Sequence, residues 1–137
     1  MKPAAANDAL TKAEITRLGE LRSHLLRLHK TLLELERQDF EKKSGRVNPG
    51  ELLQLVINHP QFAWLRKISA LIVEMDETLN GAEPAVRKDF EDLISQARSL
   101  LISPGDEEFR TKYQSALQRE PAAVLAHSAA MQLLPQD

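Results

Sequence analysis

Leu18, Leu21, Leu25, Leu28, Leu32 and Leu35 recur at alternating spacings of three and four. That rhythm is the seam of a helix packing on its neighbours in left-handed, coiled-coil fashion, and it fits no strand. Leu26, Leu33 and Phe40 repeat every seven residues beside it, which predicts the broad apolar face of a globular bundle in place of a narrow zipper. The pattern predicts a helix from about Asp8 to about Lys43, near Ser44-Gly45, with a length of roughly 50 Å at 1.5 Å per residue.

A new start follows. Asn48 is placed to cap, Pro49 suits the first helical position, and Glu51 stands where a capping box needs it. Leu52, Leu53, Leu55, Val56 and Ile57 make this second helix short and very apolar. Pro60 lacks a backbone donor and biases His59 away from the α region, so the helix is expected to stop near Ile57, with a kinked continuous helix as the alternative.

The heptad logic returns from Pro60 to Asn80, with Leu65, Ile68, Ile72, Met75 and Leu79 on the seam and Trp64 and Leu71 beside it. A further helix opens near Pro84 and carries Val86, Phe90, Leu93, Ala97 and Leu100, flanked by Ile94 and Leu101. After Ser103-Pro104-Gly105-Asp106, Phe109, Tyr113 and Leu117 precede Pro121, and Val124, Leu125, Met131 and Leu134 follow it. This reads as two shorter helices broken by a proline, together supplying the fourth edge of a bundle.

The expected fold is therefore all-α: an antiparallel up-and-down bundle of about four main helices with one or two additional short helices. Residues 1–7 are expected to be a flexible N-terminus, 8–134 a single helical-bundle domain and 135–137 a tail. Across 137 residues apolar side chains make up 42% but aromatic ones only 4%, which requires a mainly aliphatic core.

Eighteen Lys and Arg stand against 20 Asp and Glu, a formal net charge of −2, which supplies no general attraction to phosphate backbones or anionic membranes. Residues 1–48 hold 10 basic and 7 acidic side chains and residues 49–137 hold 8 and 13, so the halves carry +3 and −5. Arg37, Lys42, Lys43 and Arg46 cluster near the end of the first helix, but Glu36, Asp39 and Glu41 interleave with them, arguing against nucleic acid as a partner. No cysteine is present, excluding disulfides, thiolate ligands and a cysteine nucleophile. The first residues lack the apolar stretch of a secretory signal, and no run approaches the ~20 residues of a membrane span. A cytoplasmic location without membrane contact is expected.

The four histidines carry no metal signature. Di-iron bundles use Glu-x-x-His pairs, whereas the residues three before His24, His29, His59 and His127 are Leu21, Leu26, Val56 and Val124. His24 and His29 are five apart, about 140° around a helix, and stand on opposite shoulders of the seam. Glu20, four before His24, makes it a plain surface pair, and His127 between Val124 and Met131 suits a partly buried histidine. No glycine-rich phosphate loop or nucleophile elbow occurs. Neither a cofactor nor an enzymatic activity is expected.

The most distinctive segment is His59 to Lys67, which gathers the only Trp, a Phe, a proline break and a basic pair. Phe62 and Trp64 suit a plug at the end of the bundle. The sharper reading takes Phe62, Trp64, Arg66 and Lys67 as a partner-binding surface, since Trp and Arg dominate binding hot spots. A protein partner or a homodimer is then expected. The alternative is a bundle that holds a metal, haem or small hydrophobic ligand between its helices.

Gly50-Glu51-Leu52-Leu53-Gln54-Leu55, followed by Phe62-Ala63-Trp64-Leu65-Arg66, Ser69, Leu71-Ile72 and Asp76-Glu77, resembles a family of small bacterial helical proteins of unknown function. The resemblance covers about the middle third of the chain. It implies a bacterial cytoplasmic setting and carries over no activity, cofactor or site residue.

Overall fold

The computed structural model describes residues 9–135, and these described residues form six α-helices and one 3-10 helix. They are α1 (Lys12–Ser44), α2 (Pro49–Asn58), the 3-10 helix (Pro60–Leu65), α3 (Arg66–Asn80), α4 (Arg87–Ile102), α5 (Glu107–Arg119) and α6 (Pro121–Met131). The fold is all-α; among the described residues the only β pairing is an isolated antiparallel bridge between Ala9 and Val86. Residues 1–7 and most of the expected tail lie outside the described residues.

Helix starts follow side-chain chemistry. α1 begins at Lys12, because Thr11 and Glu14 form a reciprocal capping box that satisfies two first-turn donors; the expected start near Asp8 lies outside the described residues. Pro60 breaks the chain: His59 is extended, and its Nδ1 accepts from the Gln61 amide at 3.1 Å. The helix expected over 60–80 is thus a 3-10 turn followed by α3. α4 starts at Arg87, with Pro84 left in the connection.

Leu18, Leu21, Leu25, Leu28 and Leu32 are fully buried, as the seam requires. Their neighbours sit on the two shoulders of α1. On one, Arg22 pairs with Asp76 of α3, and fourteen residues on, Glu36 accepts from Trp64, so α1 and α3 run antiparallel. On the other, the Arg17 guanidinium donates to the Leu133 carbonyl at 2.6 Å, while Asp39 meets Arg119 just before α6, so α6 is also antiparallel to α1. α4 packs on α3 and is tied to the start of α1 by Arg87–Glu14 at 2.8 Å.

Two expectations change. α5 and α6 do not form one edge together: α6 lies along α1, while α5 packs on the 3-10 helix and on α6. α6 also presents the opposite face from the one its large residues suggest. Ala123, Ala126 and Ala130 are buried, whereas Leu125 is 72% exposed and Val124 is exposed beside it. Small side chains let α6 approach α1 closely, and these two helices share the broadest contact of any pair.

Candidate partner-binding surface

The break between α1 and α3 is built from local rules. Gly45 closes α1 with φ +85° and ψ 172°, a region essentially restricted to glycine, and its amide donates to the Glu41 carbonyl. The Glu41 carboxylate accepts from the Val47 amide at 2.9 Å. Asn48 and Glu51 exchange side-chain-to-backbone bonds of 2.8 and 3.1 Å, which starts α2 in a fixed direction.

α2 then packs on the 3-10 helix that follows it. Leu52, Leu55 and Val56 are half-buried against the core, and His59 stands edge-on to Phe40 with ring centroids 5.4 Å apart. No residue of α2 is fully buried. Leu53 and Ile57, one turn apart on the other side, are 57% and 52% exposed. A ten-residue helix this apolar therefore covers the bundle with one face and offers the other to solvent.

The four sequence candidates divide between inside and outside. Phe62 is fully buried and Trp64 is 4% exposed, so neither ring is presented to solvent. Phe62 packs between Phe40 and His59, and Trp64 begins a row of rings that continues through Phe109 and Tyr113 to His127, with centroid spacings of 5.4 to 5.6 Å. Arg66 and Lys67 are exposed. Arg66 donates to the Val56 and Ile57 carbonyls, capping the C-terminal end of α2, where a cation is favoured. Lys67 pairs with Asp106 at 3.5 Å.

Glu36 holds this plug in place. One carboxylate oxygen accepts from Trp64 Nε1 at 3.1 Å and the other from Gln61 Nε2 at 2.8 Å. Glu36 lies seven residues after His29 and fourteen after Arg22, on the shoulder facing α3, and that spacing is the signal that could have marked it.

Charge around the junction is mostly paired. Arg37 bridges Glu34 and Glu41, and Asp39 takes a two-pronged bond from Arg119 with both contacts at 2.9 Å. The Arg119 guanidinium, helped by Lys42 and Lys43, holds the Asp39 carboxyl below its ordinary range. Lys42, Lys43 and Arg46 remain exposed, and no described residue forms an ion pair with them.

The histidines stay apart. Burial lowers the affinity of His29 and of His127 for a proton. His24 lies on the shoulder of α1 that faces α6, and its Nδ1 is buried without a hydrogen-bond partner. Among the described residues no group of three or more His, Asp or Glu side chains is placed to hold a metal ion. The larger hollows are open surface grooves; two of about 410 and 490 Å³ share Glu74 and Gln96 and follow the α3–α4 face.

No family model matches the chain, and no curated protein or solved structure is significantly similar to it. Among the described residues no helix is long and apolar enough to cross a membrane.

Proposed function

We propose that the chain is a non-enzymatic interaction protein that acts through contact with another protein chain. The single observation that carries this reading is the exposed Leu53 and Ile57 face of α2. Apolar side chains scattered singly on a surface need no explanation, but two on one turn of a helix that buries nothing fully do. Arg66 and the plug of Phe62 and Trp64 act behind this surface by fixing how α2 is held. The sequence resemblance supports a bacterial cytoplasmic setting.

A photo-reactive amino acid placed at Leu53 in living cells tests the reading. A discrete protein adduct is expected from position 53 and none from Gln114, an exposed position on α5. Failure of position 53 to give a protein adduct would remove α2 as the contact surface.

A further inference from the structure

Trp64 and Tyr113 are the chain's only tryptophan and tyrosine, and no cysteine is present. These two therefore hold the rings most readily stripped of one electron, and the fold puts both in one row. Phe109 lies between them, its ring centroid 5.6 Å from that of Trp64 and 5.4 Å from that of Tyr113, and all three side chains are buried. Trp64 also lines, with Leu32, Glu36 and Lys112, a hollow of about 270 Å³ between α1 and α5. Tyr113 is 2% exposed, and beyond it the half-buried His127 ends the row. A small oxidant thus meets Trp64 first.

Each of the two rings faces a base. The Trp64 indole N–H donates to a Glu36 carboxylate oxygen at 3.1 Å, and the Tyr113 hydroxyl stands 2.6 Å from Nδ1 of His127. An amide or a backbone carbonyl would satisfy these buried polar groups equally well as structure, but only a base can take the proton. Removing an electron from indole or phenol makes it a strong acid, and a positive charge left in an apolar core is costly. A base within hydrogen-bond reach carries that charge away with the proton and leaves a neutral radical.

We infer that Trp64, Phe109, Tyr113 and His127 form a one-electron relay, which accepts oxidation by a small radical oxidant at Trp64 and settles it on Tyr113. The oxidant takes one electron from Trp64 and becomes its anion, while the indole proton passes to Glu36. Tyr113 then gives one electron to the indolyl radical and its phenolic proton to His127 Nδ1, and the indole recovers its own proton from Glu36. The balance is one reduced oxidant, one tyrosyl radical and one imidazolium. Phenol is the easier of the two to oxidise once the proton can leave, which sets the direction. Phe109 fills the space between the rings and is not itself oxidised. The route uses the His127 tautomer protonated on Nε2, in which Nδ1 accepts. The relay is separate from the interaction surface on α2.

Pulse radiolysis of the full chain with the azidyl radical, which becomes azide, tests this. In wild type the green absorbance of the indolyl radical is expected to form first and to decay as the violet tyrosyl absorbance grows, both at one first-order rate that does not change with protein concentration. That rate should fall in heavy water, where a deuteron replaces the proton that moves. His127→Gln keeps an acceptor for the Tyr113 hydroxyl but no base, and should slow the transfer on the order of tenfold. Tyr113→Phe should leave the indolyl radical in place with no tyrosyl band. Unchanged far-UV circular dichroism and Trp64 emission show that the variants remain folded. An indolyl radical that persists in wild type overturns the inference, as does a rate that rises with protein concentration, or a folded His127→Gln that transfers at the wild-type rate. Equal wild-type rates in heavy and light water overturn it whether or not the variants fold.

Discussion

The Tyr113 hydroxyl stands 2.6 Å from Nδ1 of His127, joining α5 to α6 across the break at Glu120 and Pro121. Burial raises the Tyr113 pKa well above its ordinary value and lowers that of His127, so at neutral pH an uncharged phenol and an uncharged imidazole share this hydrogen bond, its direction set by the imidazole tautomer. Tyr113→Phe removes the hydroxyl and leaves ring packing intact, and should cost about 1 kcal/mol in urea denaturation.

The same burial predicts a pH dependence. His29 and His127 both bind protons more weakly when folded than at the ordinary value of 6.5. The unfolded chain therefore takes up more protons below that value, and stability is complete above pH 6.5 and falls as pH drops toward the folded pKa values. Glu14, Glu34, Asp39 and Asp106 are lowered from ordinary values of 3.8 to 4.5, so their contributions hold above that range and are lost beneath it. The urea midpoint should decline between about pH 6.5 and about pH 5, and His29→Gln with His127→Gln should flatten that decline. A flat wild-type profile over this interval would contradict the assignment.

The Glu36 carboxylate is the one acceptor shown for the Trp64 indole and the shorter of two for the Gln61 amide, which also reaches the Glu36 backbone carbonyl at 3.3 Å, so its removal is costly. Glu36→Ala leaves the buried Trp64 indole N–H without its acceptor and the Gln61 amide with only the position-36 backbone carbonyl, and a loss of about 1 to 3 kcal/mol is expected. Glu36→Gln keeps one carbonyl oxygen and should lose less. Trp64 is the chain's only tryptophan, so its emission reports the change directly: blue-shifted in wild type and moving to longer wavelength in Glu36→Ala.

How far the sequence revealed the fold is seen by following single stripes. Leu18 to Leu32 are buried as their spacing requires, because α3 and α6 flank that line on both shoulders. The stripe of Leu26, Leu33 and Phe40 lies farther round the helix. Phe40 is covered by His59 and Phe62, but Leu26 is 46% exposed. Periodicity finds the stripe; what covers each residue depends on where the chain folds back. The candidate site was legible in the same partial way. Pro60 and the cap at Asn48 marked the junction, yet the large apolar side chains drew attention to Phe62 and Trp64, which the fold consumes as core. Leu53 and Ile57 look no different in sequence from Leu52 and Val56, because only the direction of packing separates them.

Gly45 is the one described residue with positive φ, and its ψ of 172° places it where a side chain is strained. A Cβ there meets no neighbouring atom within 4 Å, so the cost of Gly45→Ala is conformational and not steric crowding by the core. A loss of about 1 to 3 kcal/mol is expected.

The inverted face of α6 gives the sharpest contrast between size and burial. Leu125 is the larger side chain but 72% exposed, whereas Ala123 and Ala126 are buried against their neighbours. Leu125→Ser should change stability by less than about 0.5 kcal/mol, as exposed substitutions usually do. Ala126→Leu must instead push α6 away from its neighbours, with an expected loss of about 1 to 3 kcal/mol. Because α6 is held at its two ends by Arg119–Asp39 and Arg17–Leu133, the strain should loosen both ties. Hydrogen exchange of the α6 amides would then accelerate in Ala126→Leu and stay near wild type in Leu125→Ser. The reverse order of effects would mean that α6 packs through its large residues after all.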